Sequence, residues 1–147
     1  MQLRALSMKD EKEIMEIIQD AFAVSPWNDN WDDEDTFHLY ILDVIGNANS
    51  LALGLYDENK LVGLALGRLK HWFDGIEYNI DDFCIRSSCQ GKGAGSAFIR
   101  LLKEYSTERD FKEISLRTKR TASAYQFYQK NGFREIEEDV HFILKCR

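Results

Sequence analysis

Residues 81–96 read Asp81-Asp82-Phe83-Cys84-Ile85-Arg86-Ser87-Ser88-Cys89-Gln90-Gly91-Lys92-Gly93-Ala94-Gly95-Ser96, an acidic pair, an apolar run and then a glycine-rich loop. Upstream, Glu77 to Ile85 predicts a strand. Downstream, Phe98, Leu101, Leu102 and Tyr105 recur on one face and predict a helix. Glycines in a strand-to-helix turn let the backbone approach a ligand. The first N–H groups of the helix then point outward at its positive dipole end. A phosphate or pyrophosphate is the natural guest, although a plain tight turn uses the same residues. A Walker loop needs four residues between Gly and Gly-Lys-Ser/Thr, which this loop lacks. The dinucleotide fingerprint needs a third glycine where Ser96 stands, and it usually opens the first βαβ unit of its domain. Both fit poorly.

Working outward, Leu3 to Leu6 predicts a strand. Ser7, with Asp10 three residues on, has the pattern of a capping box. Ile14, Ile17, Ile18 and Phe22 follow at helical spacing. Ser25 to Asn30 breaks that helix, and a second is expected from Asp32 to about Ile45, closed by Gly46-Asn47. Leu51–Tyr56 and Leu61–Leu69 predict strands joined by a turn at residues 57–60. Gly54, Gly63 and Gly67 weaken that reading, unless they mark a bulge or a close backbone approach. Beyond the loop helix come a strand from Glu113 to Thr118 and a helix from Ser123 to Lys130. Phe133–Ile136 and Val140–Cys146 then suggest a closing hairpin. The order is that of one mixed α/β domain spanning residues 1–147.

Of the 147 residues, 44% are hydrophobic and 30% charged, enough for a core and incompatible with disorder or a disulfide-stapled miniprotein. No apolar run approaches the ~18 residues of a membrane span, and the N-terminus lacks a signal-like apolar core. Cys84, Cys89 and Cys146 have no paired spacing, which suggests a reducing compartment, so the cytoplasm is expected. Three scattered histidines and no Cys-x-x-Cys spacing suggest no metal site. The net charge of −6 is unevenly spread: Glu13 to Asn59 carries eleven acids and no Lys or Arg, whereas Arg86 to Arg134 carries eleven Lys and Arg against four acids. One region suits a cation and the other an anion; neither a nucleic acid nor a membrane is an expected partner.

Gln90-x-x-Gly93-x-Gly95 resembles the (Gln/Arg)-x-x-Gly-x-(Gly/Ala) loop with which GCN5-related N-acetyltransferases cradle the pyrophosphate of coenzyme A. Asp81 to Ile85 stands where that family carries an acidic pair and an apolar strand end. Ala124-Tyr125-Gln126-Phe127-Tyr128-Gln129-Lys130-Asn131-Gly132-Phe133 is similar to its Ala-x-x-(Leu/Phe)-Tyr-(Glu/Gln)-Lys-x-Gly-Phe segment. The resemblance covers essentially the whole chain. It implies a mixed, mostly antiparallel sheet of about seven strands flanked by about four helices. It also implies acetyl-CoA as cosubstrate, an amine acceptor and a homodimer.

The resemblance carries over residue by residue. Phe83, Cys84 and Ile85 would line the pantetheine arm, with backbone groups of Phe83 and Ile85 pairing like an added strand. Amides of Gln90, Gly91, Lys92, Gly93, Ala94, Gly95 and Ser96 would hold the pyrophosphate, Lys92 adding charge, and Lys119 or Arg120 could reach an outlying phosphate. Thr121 stands where many relatives carry Asn, and Ala124 opens the last motif. Tyr128 would protonate the departing thiolate; a phenol with pKa about 10 is a proton donor at neutral pH. An ammonium with pKa roughly 10.4 needs a base, and Asp81, Asp82 and Glu77 are the candidates. Strand alternation sends Asp81 and Asp82 to opposite faces, and the resemblance favours Asp81, which matches the usual Glu. A carboxylate that only caps or salt-bridges the strand would read the same way.

Between the first two helices, Trp27-Asn28-Asp29-Asn30-Trp31-Asp32-Asp33-Glu34-Asp35 places five acids in seven positions beside two tryptophans. Trp72, Phe73 and Asp74 repeat that chemistry at a turn. Trp27, Asp29, Trp31, Asp32, Trp72 and Asp81 are therefore candidates to hold a small cationic amine, polyamine-like or aminoglycoside-like. Acids at a helix start also simply stabilise it. Two other readings remain: a non-catalytic acetyl-CoA sensor, and transfer to protein lysines or N-termini.

Overall fold

The computed structural model describes residues 1–147. Residues 1–117 form one compact unit and residues 118–147 a second. In the first, strand β1 (Gln2–Ala5) leads through a short 3-10 turn into helix α1 (Glu11–Phe22), then helix α2 (Glu34–Ile45). Strands β2 (Ser50–Asp57), β3 (Lys60–Trp72) and β4 (Gly75–Ile85) follow, then helix α3 (Ala94–Glu108) and strand β5 (Phe111–Leu116). The sheet order is β1-β2-β3-β4-β5, antiparallel except for the parallel pair β4 and β5. The parallel pair is joined through α3, the crossover such pairing requires.

Local chemistry explains the starts and stops. Ser7 accepts from the Lys9 N–H and Asp10 accepts from the Ser7 N–H, so the capping box forms as expected, on the 3-10 turn before α1. Helix α2 begins two residues later than expected, because Asp33 rather than Asp32 is its N-cap: one Asp33 oxygen accepts from the Asp35 and Thr36 N–H groups. Ile14, Ile17 and Ile18 of α1 and Phe37, Ile41, Val44 and Ile45 of α2 pack with Leu61, Leu64, Leu66 and Cys84 of the sheet in one core. Each such side chain contributes about 1.5–3 kcal/mol of burial.

The sheet has five strands, not about seven. In the second unit, helix α4 (Ser123–Lys130) forms as expected, but Phe133–Ile136 and Val140–Cys146 form no strands. Val140, Phe142, Ile143 and Leu144 are 71–90% exposed there. Strand propensity needs a paired, half-buried surface to act on, and this segment meets no partner edge.

Candidate active site

Strand β4 does not run evenly. Against β3, Leu66 pairs with Asp82 but Gly67 pairs with Ile80, so Asp81 is an extra residue in a β-bulge. Gly67 permits it: a Cβ there would lie 2.1 Å from the Asn79 carbonyl oxygen and 2.8 Å from the Ile80 Cα. One of the three weak-strand glycines thus marks a close backbone approach. The bulge breaks the even alternation expected of the acidic pair and moves Asp82 off the face it would otherwise share with Ile80. Paired with Leu66, two residues before the Cys84–Leu64 pair, Asp82 lies on the face that carries the α1 and α2 core.

The two aspartates therefore differ. Asp81 is exposed at the sheet surface and pairs with Arg68, 3.2 and 3.3 Å from the guanidinium. Asp82 is half-buried, and Tyr40 of α2 donates its hydroxyl proton to Oδ2. Burial pushes the Asp82 carboxyl up to about 6; the charges of Asp81 and Asp29 add to the rise and the Tyr40 bond opposes it. A carboxylate there is ionised at neutral pH yet more basic than one in water. Tyr40 is itself pushed far above the usual phenol range by burial, then by Asp82, Asp81 and Asp29, so it stays a fixed donor. Glu77, on the same strand, pairs with Glu113 in the β5 register, away from this cluster.

Tyr40 is not among the candidates the sequence offers; it falls inside the helix expected from Asp32 to about Ile45. Its ring is held by Trp31, stacked on it at 4.9 Å between centroids and on Phe37 at 4.6 Å. Trp31 thus packs against the core as structural support and is half-buried, as is Trp27, which meets Phe22 edge-on. Asp29 and Asp32 are exposed. Trp72 and Asp74 already have partners in the chain: Lys70 lies over the Trp72 ring and Lys112 pairs with Asp74 at 2.7 Å.

Beyond Ile85 the chain reaches the glycine loop, moored to α1. The Ser87 N–H and hydroxyl both donate to Asp20 at 2.7 Å, which holds the Asp20 carboxyl below its ordinary range. Arg86 donates to the Leu61 carbonyl at 2.8 Å and reaches Glu13 at 3.3 Å. Gln90 spends its amide nitrogen on the Ile85 carbonyl, 2.9 Å away, and Lys92 lies 3.3 Å from the Ser88 carbonyl. These bonds set the loop's path. Gly91 and Gly93 have φ of 74° and 83°, and a Cβ at either would point into open space. Gly93 is the N-cap of α3, which has no capping side chain and no acid in its first turn. Amides of Ala94, Gly95 and Ser96 at that dipole end suit a pyrophosphate. Phe83 packs on Phe98 of α3 at 5.0 Å, while Cys84 is a core residue whose thiol burial pushes far above its usual range, so it is not a nucleophile.

In the second unit, Thr121 is exposed just before α4, and Ala124 sits half-buried in its first turn. Tyr128 is half-buried with Phe127 and Phe133 each edge-on at 5.4 Å. Arg120 pairs with Glu135, to which Tyr125 also donates at 2.8 Å.

The sequence pattern of the acetyltransferase (GNAT) family matches residues 12–133. The chain belongs to that family. The protein is accordingly an acyltransferase of the kind that uses acetyl-CoA. No protein with a curated description matches the sequence. Solved structures share the acetyltransferase fold at low identity. The aminoglycoside acetyltransferase meta-AAC0020 from an uncultured soil metagenomic sample, in complex with sisomicin, is 18% identical with a TM-score of 0.74, over 99% of this chain and 96% of that one. The AAC(6')-Iy structure with the bisubstrate analogue CoA-S-monomethyl-acetylneamine is 13% identical with a TM-score of 0.71, over 99% and 98%. A ribosomal-protein-alanine N-acetyltransferase from Brucella melitensis biovar Abortus 2308 is 16% identical with a TM-score of 0.73, over 98% of each.

Proposed function

We propose that this acetyltransferase moves the acetyl group of acetyl-CoA directly onto a primary amine of a small cationic molecule, polyamine-like or aminoglycoside-like. The observation that carries the reading is the half-buried Asp82, bonded by Tyr40 and raised to about 6, at the strand end that leads into the glycine loop. Asp82 takes the ammonium proton, directly or through water. Amides at the start of α3 hold the pyrophosphate and strand residues 83–85 align the pantetheine; the family resemblance gives Tyr128 the part of proton donor to the departing sulfur. The cosubstrate supplies an activated thioester; the chain supplies the base, the acid and the alignment.

A cationic acceptor is supported by Asp29 and Asp81, whose charges both act on Asp82 and Tyr40. The tryptophans support it less, since Trp31 is packed away and Trp72 already faces Lys70. The aminoglycoside and bisubstrate complexes of structures with this fold point the same way. Three free cysteines fit a cytoplasmic location, and the exposed apolar run of residues 140–144 offers surface that a homodimer would cover.

The test is thiol release from acetyl-CoA with polyamines, aminoglycosides, amino acids and peptides. Polycations should turn over with a KM that rises with salt, as screening shortens to a Debye length of ~8–10 Å. Turnover confined to peptides would replace the small-cation reading with a protein-modifying one.

A further inference from the structure

We propose that Tyr40 is a positioning residue for the transfer: its hydroxyl donates to Oδ2 of Asp82 so that the carboxylate keeps its charge with Oδ1 left free to collect the proton, and the Trp31–Phe37 stack holds the Tyr40 ring in that place. The inference rests on the reading of Asp82 as the base.

Three observations converge. The Tyr40 hydroxyl reaches across from α2 to Asp82 on β4, forty-two positions later in the chain. The Tyr40 ring is immobilised by Trp31, and Trp31 by Phe37, one turn back along α2. The bulge at Asp81, made possible by Gly67, is what turns Asp82 toward α2 at all. A buried carboxylate without a partner costs several kcal/mol and tends to neutralise. One strong donor on one oxygen keeps it ionised while the other oxygen stays available. Tyr40 cannot compete for the proton, because its own surroundings keep it protonated.

The groups around Asp82 fix the sign of each perturbation. Tyr40 faces it from α2, Asp29 acts from the α1–α2 connection, and Asp81 adjoins it on β4 with Arg68 of β3 beyond. Cys84, on the same strand face, is neutral. Removing the Tyr40 donor must raise the Asp82 titration, whereas removing the Asp81 charge must lower it. A role of Tyr40 in packing alone does not predict the first; the second checks that the Asp82 signal responds to its surroundings.

The experiment follows the Asp82 carboxyl carbon by NMR between pH 4 and 9 in the wild type, Tyr40→Phe and Asp81→Asn. Tyr40→Phe keeps the ring, so the fold should be retained, as the amide spectrum will report. The expected result is a midpoint near 6 in the wild type, at least half a pH unit higher in Tyr40→Phe and lower in Asp81→Asn. With acetyl-CoA and an aminoglycoside or polyamine that turns over, kcat/KM of Tyr40→Phe should fall at least twofold at pH 6 and by a clearly smaller factor at pH 8.5. An unmoved midpoint, or a rate loss equal at both pH values, overturns the inference. Asp82→Asn separates this from the underlying reading: if that variant keeps wild-type kcat/KM and its acid limb, Asp82 is not the base. If it is inactive while Tyr40→Phe shows no shift, only the role of Tyr40 falls.

Discussion

Replacing Asp82 by Asn should make the enzyme more stable and far less active. Burial holds the carboxyl at about 6 against an ordinary 3.8, a rise of about two pH units, so keeping it ionised in the folded state costs about 3 kcal/mol at neutral pH. Asn carries no charge and still accepts from Tyr40, though its amide N–H groups give up hydration in the half-buried site at a cost of ~1 kcal/mol. The expected gain is about 2 kcal/mol. For a domain of this size that raises Tm by about 4–8 °C. The sign depends on pH. A carboxyl whose folded pKa is raised carries its full penalty above about 6, and loses it as pH falls toward 3.8. The stability difference should therefore be largest at pH 7–8 and vanish near pH 4. Urea titrations and thermal melts across that range measure it. Turnover should drop by roughly 10²-fold or more, the scale of a lost general base. A variant less stable than wild type at pH 8, by an amount that does not change with pH, would show that Asp82 is an ordinary structural carboxylate.

Gly67→Ala forces a methyl into the Asn79 carbonyl oxygen, so the bulge must shift: stability should fall by about 1–3 kcal/mol by urea titration, and activity should fall even where the variant is folded. Gly93→Asp puts a carboxylate at the head of α3; calorimetry on the folded variant should show coenzyme A affinity down more than tenfold, about 1.4 kcal/mol, while the φ of 83° should cost ~1–2 kcal/mol of stability for a residue with a side chain. Tyr128→Phe keeps the ring among Phe127 and Phe133 and should lower kcat by roughly 10²–10⁴-fold with coenzyme affinity unchanged; a loss below about threefold in the chemical step would assign the proton to another donor.

What could be read from the chain was local. Strand, glycine loop and helix around residues 77–105 announce themselves through periodicity and glycine, and the Ser7–Asp10 capping box through a four-residue pattern. The choice between Asp81 and Asp82 could not be read so, because it depends on a register slip between β3 and β4 that only long-range pairing defines. Gly67 was its one visible trace. Tyr40 hid in an apolar helix stripe, where a tyrosine that buries its ring and one that aims its hydroxyl look alike. Asp32, Asp33 and Asp35 all resemble N-caps, and the backbone turn at Asp33 makes it the one that caps α2. Trp31 and Trp72 looked like open ring faces because residue type does not show which near neighbours a ring will cover: Phe37 and Tyr40 of α2 for Trp31, and Lys70, two residues back on β3, for Trp72. Residues 140–146 show the converse error, apolar enough for a strand but lacking an edge to join.

Direct transfer from acetyl-CoA to a small cationic amine is tested most plainly by supplying acetyl-labelled acetyl-CoA with mixed polyamines and aminoglycosides, and following free thiol and labelled N-acetyl amine together. The two should appear in equal amounts, at a rate that falls below about pH 6 as Asp82 takes up its proton. Tight coenzyme binding with no thiol released, whatever amine is offered, would instead mark the protein as a sensor of acetyl-CoA.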